Sequence, residues 1–248
     1  MRISVVSNYD EMSNLAAEYI VNQINIKRES VLGLATGSTP LGMYKKLIEY
    51  YKAGKVDFSK VTTFNLDEYI GLDKENEQSY IYFMKNNLFN HINIKEENVF
   101  IPDGTAKDAK AECERYNKFL EKLGPIDIQI LGIGVNGHIG FNEPSKDLTL
   151  RTHVTDLTED TRKANSRFFD DISKVPQRAI TMGIGDIMRA EKIILLASGK
   201  SKAPIIKHMV ESGVSTFIPA SILKLHKNVE IIADSDAASL IEKKNCIA

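Results

Sequence analysis

Short, almost wholly apolar runs separated by helical patterns constrain the fold of this chain more than any other feature. Ile3–Val6, Val31–Ala35, Val61–Leu66, Ile126–Ile133, Ala179–Met182, Lys192–Ala197 and Val229–Ala233 read as strands. Between them, apolar residues recur on one helical face, as Met12, Leu15, Ala16, Tyr19, Ile20 and Ile24 do over 10–24. Pro40 opens a second helix carrying Leu41, Tyr44, Leu47, Ile48 and Tyr51, because a first-turn N–H has no helical partner to lose. Further helices are expected over 79–89 and 106–123, the latter stopped by Gly124-Pro125. Strands this apolar need cover on both faces, so the pattern predicts an α/β fold built on a mostly parallel sheet. The 248 residues suit one large domain or two small ones. Ligands of such sheets bind beyond the carboxyl ends of the strands, which directs attention to the strand ends.

Val31–Ala35 runs into Thr36-Gly37-Ser38-Thr39-Pro40. Small hydroxylated residues and a glycine let backbone N–H groups approach an anion, and the helix that follows adds partial positive charge. A phosphate would fit there; so would a plain strand-to-helix turn with Thr39 as N-cap. Val61–Leu66 ends at Asp67-Glu68. Burying a charge without partners is costly, so an acid here either faces a cleft as a base or sits in a solvated turn.

The segment from Gly132 to Pro144 is the richest. Gly132, Gly134 and Gly137 match the dinucleotide fingerprint, with Asp156 near the distance of a ribose-binding acid. That fingerprint must open a helix, whereas here a polar, proline-ended stretch predicts a compact loop. Glycines at 134, 137 and 140 let such a loop turn tightly around a ligand. Asn136, His138 and Glu143 supply a hydrogen-bonding amide, an imidazole and a carboxylate, the components of general acid–base chemistry. Arg167, at the end of an expected helix, and Lys202, after another apolar strand, would clamp a phosphate if they converge on the Ser38 loop.

Other chemistries find little support. The formal net charge of -1 provides no field for nucleic acid. The amino terminus lacks a signal-peptide apolar stretch, and Ile193–Ala197 is too short to span a bilayer, so no membrane partner is expected. Cys113 and Cys246 form no metal-ligand spacing and read as unpaired thiols of a cytoplasmic protein. The histidines at 91, 138, 153, 208 and 226 form no zinc motif, so neither metal nor cofactor is expected.

Together, TGSTP at 36–40, NLDEYIGL at 65–72, LGIGVNGHIGFNEP at 131–144, TRKANSRFF at 161–169 and SGKSKA at 198–203 resemble the glucosamine-6-phosphate deaminase family. The resemblance spans nearly the whole chain. It implies a Rossmann-like αβα sandwich without a nucleotide cofactor, and conversion of glucosamine 6-phosphate and water to fructose 6-phosphate and ammonia. By the same resemblance, His138 opens the pyranose ring and Glu143 orients its imidazole. Asn136 occupies a position where the family carries Asp or Asn, and Asp67 shuttles the proton between C2 and C1. Ser38, Thr39, Arg167 and Lys202 correspond to the phosphate site, and Gly37 to its turn. The whole of 1–248 is expected to form one domain, with a closing lid at about 158–176.

The chain departs from the pattern of allosteric members just past the NEP motif. His153, Thr155, Lys146 and Asp147 stand where those members hold N-acetylglucosamine 6-phosphate. No such activation is therefore expected, and a monomer or small homo-oligomer is. A 6-phosphogluconolactonase is the nearest rival; such enzymes have no need of Asp67 and typically lack the residues that carry Glu143. A sugar-phosphate sensor is the rival from another class, although a mere binder has no use for two proton-transfer groups.

Overall fold

The computed structural model describes residues 1–166, 169 and 171–241, so Arg167 and Cys246 lie outside the described residues. The chain runs β1 (Arg2–Val6), α1 (Tyr9–Ile26), β2 (Val31–Leu34), α2 (Leu41–Lys52), β3 (Thr62–Asn65), β4 (Asp67–Tyr69), α3 (Tyr80–Asn87), β5 (Val99–Phe100) and α4 (Ala109–Leu123). There follow β6 (Ile128–Leu131), β7 (His153–Asp156), α5 (Glu159–Asn165), β8 (Arg178–Thr181), α6 (Ile184–Ile187), β9 (Lys192–Ala197), α7 (Ala203–Glu211) and β10 (Val229–Asp234).

The main sheet has seven strands in the order β1-β10-β9-β6-β2-β3-β5, and every pairing in it is parallel. Alternate side chains divide its core into two layers. Leu32, Leu34, Ile128, Ile130, Ile194, Leu196 and Ile232 pack with α1, α2 and α3. Val31, Leu131, Ile193, Leu195, Ile231 and Ala233 pack on the other face with α4, α6 and α7. This is the expected αβα sandwich, and burial on both faces explains why its strands read as unbroken apolar runs.

Starting at β2, the chain builds β3 and β5 on one side, then returns to lay β6, β9 and β10 on the other. That is the Rossmann strand order, with β1 added beyond β10. The order reverses between β2 and β6. A crevice therefore opens at their carboxyl ends, between the Ser38 loop and the Gly132–Pro144 segment.

A second sheet was not anticipated. β4, β8 and β7 form a three-stranded antiparallel sheet, with Asp67 opposite Thr181 and Thr181 opposite His153. The Ala179–Met182 run thus belongs here rather than to the parallel sheet. Tyr69, Phe141, Leu157 and Ala179 form its own small core, against which Tyr80 and Phe169 pack. Other differences are local. Pro40 takes the N-cap position of α2 without a side-chain cap, so Thr39 does not cap it. α4 starts later than expected, at Ala109, because the Asp108 side chain accepts the N–H groups of Lys110 and Ala111.

Candidate active site

Four neighbouring strands, β9, β6, β2 and β3, carry the predicted residues past their carboxyl ends. Parallel pairing alone puts Lys202, the His138 loop, the Ser38 loop and Asp67 on one edge of the sheet. Beyond β6 the chain makes the predicted compact loop and opens no helix, so the dinucleotide reading stays rejected.

The loop is folded around His138. Gly134 N–H donates to the His138 carbonyl (2.9 Å), and Gly137 N–H to the Gly134 carbonyl (3.0 Å). The imidazole lies against the Gly134 α-carbon, where a side chain would collide with the ring. The Asn136 Oδ1 accepts the His138 N–H (3.1 Å), while its Nδ2 donates to Glu143 Oε2 (2.7 Å). Glu143 Oε1 stands 3.4 Å from His138 Nδ1 and also accepts the Thr161 hydroxyl of α5. Burial alone would raise the Glu143 carboxyl; His138, Thr161 and Asn136 together outweigh it and hold the group below its ordinary value. The dyad thus pairs an imidazole with a carboxylate that stays ionised at neutral pH.

Asp67 is buried at 6 % exposure, and so is Glu68 at 2 %, which removes the solvated turn as an alternative. Their environments differ. Glu68 accepts the backbone N–H groups of Tyr69 (2.8 Å), Tyr80 (2.9 Å) and Ile81 (3.0 Å), and so fastens the first turn of α3 to β4. Burial pushes it up to about 7 against those bonds. Asp67 accepts no hydrogen bond among the described residues, and burial, reinforced by the Glu68 charge, pushes it up to about 8. A buried carboxyl without a donor is a proton acceptor held away from competing partners.

The His138 loop meets Asp67 at Gly140. A side chain there would begin 3.5 Å from Asp67 Oδ2 and 3.1 Å from the Thr181 hydroxyl. Thr181 also accepts the Phe141 N–H (3.1 Å), and Asn142 donates to the Ile139 (3.0 Å) and Met182 (2.8 Å) carbonyls. These bonds fix the His138 loop on β8, beside Asp67.

On the anion side, Gly37 has φ +91°, a conformation that glycine adopts without strain. Ser38 is exposed, Thr39 is half-buried, and the Tyr9 hydroxyl steadies the loop by donating to the Ser38 carbonyl (3.0 Å). Lys202 closes a short 3-10 turn after β9, and its ammonium reaches the Ile133 carbonyl (2.6 Å). The turn is held from β10 by Asp234, which accepts the Ser198 hydroxyl (2.5 Å) and the Gly199 N–H (3.1 Å). Among the described residues, no group of three or more His, Cys, Asp or Glu is placed to hold a metal ion. No helix of the described residues is long and apolar enough to cross a membrane.

Glu68, Thr161 and Thr181 act in this architecture without having been singled out as site residues. Adjacency to Asp67 was the one available signal for Glu68; two of the three donors to its carboxylate come from α3, which sequence spacing does not bring near.

Comparisons with known proteins agree with this geometry. Residues 7–232 match the family described as glucosamine-6-phosphate isomerases/6-phosphogluconolactonase. A glucosamine-6-phosphate deaminase of Thermoanaerobacter sp. (strain X514) is 59% identical over 241 residues, covering 97% of this chain and 95% of the relative. One from Clostridium perfringens (strain 13 / Type A) is 53% identical over 242 residues, covering 98% of this chain and all (100%) of the relative. Among solved structures, a monomeric glucosamine-6-phosphate deaminase superposes with a TM-score of 0.95 at 46% identity, over 97% of this chain and 100% of the other. With the matched residues reaching from before α1 into β10, the chain belongs to the glucosamine-6-phosphate isomerase/6-phosphogluconolactonase family, where it groups with the glucosamine-6-phosphate deaminases.

Proposed function

We propose that the protein converts glucosamine 6-phosphate and water to fructose 6-phosphate and ammonia. The observation that carries this reading is the pairing of two separate acid–base centres on one crevice, the His138–Glu143 dyad and the donor-free Asp67. A closed sugar must open before its C2 proton becomes acidic. His138 moves a proton from O1 to O5, with Glu143 stabilising the imidazolium and Asn136 holding the carboxylate. Asp67 then takes the C2 proton and returns it to C1 by way of the enolamine. This leaves an imine at C2, to which water adds; the C–N bond breaks and ammonia departs.

The substrate phosphate is assigned to the Gly37-Ser38-Thr39 turn with Lys202 and Arg167. Its binding energy holds C2 against Asp67. Replacing Lys202 with Ala raises KM by about tenfold or more, the cost of one hydrogen bond to a charged group, and changes kcat less. Steady-state kinetics of the variant check this.

The region at about 158–176 is read as a lid excluding water from the enolamine, within a single domain 1–248. The Thr161 bond to Glu143 supports that reading; equally low mobility of the region in free and ligand-bound crystals would count against it. We place the reaction in the cytoplasm, which suits the unpaired Cys113, and read the enzyme as a monomer or small homo-oligomer. With His153 and Thr155 on β7 and Lys146-Asp147 before it, N-acetylglucosamine 6-phosphate leaves the rate curve hyperbolic and unshifted. Sigmoidal kinetics straightened by that compound would contradict this.

A lactonase needs no proton transfer at C2, so the buried Asp67 favours the deaminase. Assays side by side with glucosamine 6-phosphate and 6-phosphogluconolactone test the choice. Turnover of the amino sugar with little hydrolysis of the lactone is expected, and the opposite ranking would reject the reading.

A further inference from the structure

Glu143 is held by more than its own loop. Oε2 takes the Asn136 amide at 2.7 Å, while Oε1, the oxygen that faces His138 Nδ1 at 3.4 Å, takes the Thr161 hydroxyl. Thr161 is 4 % exposed and sits in the first turn of α5, where the Thr158 hydroxyl caps its N–H (3.2 Å). One turn further along α5, the Asn165 side chain bears on the Tyr69 hydroxyl, which belongs to the same strand as Asp67. Residues four apart share a helix face, so α5 docks by one face on Glu143 and on the strand that carries Asp67.

We propose that Thr161 is a positioning residue, whose hydroxyl shares Glu143 Oε1 with His138 and thereby fixes the carboxylate in the one orientation from which it serves the imidazole. Without that bond Oε1 is pinned only through Asn136 at the opposite oxygen. The carboxylate then rotates toward His138 and the proton-transfer geometry is lost, while the phosphate site, on other loops, is untouched. The inference deepens the deaminase reading and rests on it for its kinetic consequence.

The test compares Thr161→Val, which keeps the shape and removes the hydroxyl, with Thr161→Ser, which keeps the hydroxyl and removes the methyl. Thr161→Val lowers kcat on glucosamine 6-phosphate by about tenfold, the loss expected of one hydrogen bond to a charged group, with KM within about twofold. Thr161→Ser stays within about twofold of the parent in both constants. In parallel, the ring-proton chemical shifts of His138 are recorded by nuclear magnetic resonance at one fixed pH. His138 faces Glu143 and lies on Gly134, so an Oε1 no longer shared with Thr161 moves these ring signals in Thr161→Val and leaves them in place in Thr161→Ser. Unchanged kcat and unchanged His138 ring signals in Thr161→Val would overturn the proposal; so would Ser and Val variants impaired alike, which would make the methyl the important group. If the parent protein fails to turn over the sugar, the deaminase reading falls while the His138 ring signals still decide the role of Thr161. Thr161→Ala is the second variant for both measurements should the Val variant fail to fold.

Discussion

Replacing Asp67 with Asn lowers kcat by between about 10²- and 10⁴-fold and at the same time makes the protein more stable. The loss follows from removing the proposed base for the C2 proton; KM changes little, because the proposed phosphate grip lies on other strands. The gain in stability follows from burial. In the folded protein, burial and the neighbouring Glu68 push Asp67 up to about 8, whereas in the unfolded chain it titrates near the ordinary value of about 3.9. Below that ordinary value both states are protonated and Asp67 costs nothing. Between the two, the unfolded chain releases a proton that the folded protein keeps, so stability falls as pH rises, until the folded carboxyl also ionises near pH 8. The accumulated cost is on the order of a few kcal/mol, and a neutral Asn avoids it. Thermal midpoints at pH 5 and pH 8 check this: the variant's advantage grows between them. A variant less stable than the parent at pH 8 would mean that Asp67 is not a strained, donor-free carboxyl. The same position sets the pH dependence of the reaction. Because kcat/KM reports the free enzyme, it rises with pH toward about 8 as Asp67 acquires its basic form.

Replacing His138 with Gln gives a comparable loss, between about 10²- and 10⁴-fold in kcat, with the opposite signature in stability. The imidazole side chain is 24% exposed and rests on Gly134, so no buried charge is relieved by its removal. Its partner Glu143 loses the favourable neighbour that helped hold it ionised, and retains Thr161 and Asn136. The His138→Gln variant is therefore no more stable than the parent at any pH. Losses in both variants, with stabilisation confined to Asp67→Asn, separate a buried, donor-free carboxyl from an imidazole paired with an ionised carboxylate.

Much of this arrangement was legible in the amino-acid order, for reasons that can be located. Val31–Leu34, Ile128–Leu131, Lys192–Ala197 and Val229–Asp234 are covered on both faces, so composition alone marked them as strands. A parallel sheet then puts every strand's carboxyl end on one edge, and the loops there bring the proposed site residues together. The small antiparallel sheet was not legible. Asp67-Glu68-Tyr69 carries two acids and is a strand because it pairs with Arg178–Thr181, a partner distant in sequence. His153–Asp156 is only partly buried and has no apolar alternation to mark it. The burial of Glu68 was hidden for the same reason, since two of the three N–H groups that hold it come from α3. Thr161 stood inside a recognised segment, yet only the docking of α5 brings its hydroxyl to Glu143.

The central claim is that two acid–base centres on one crevice couple isomerisation to loss of ammonia. The most direct measurement follows ammonia and fructose 6-phosphate together during incubation with glucosamine 6-phosphate, in chelator-treated buffer, with Asp67→Asn and His138→Gln alongside. The account predicts equal release of both products by the parent protein, abolished or nearly so in both variants. Binding of the sugar phosphate with neither product released, or ammonia released without fructose 6-phosphate, would contradict it.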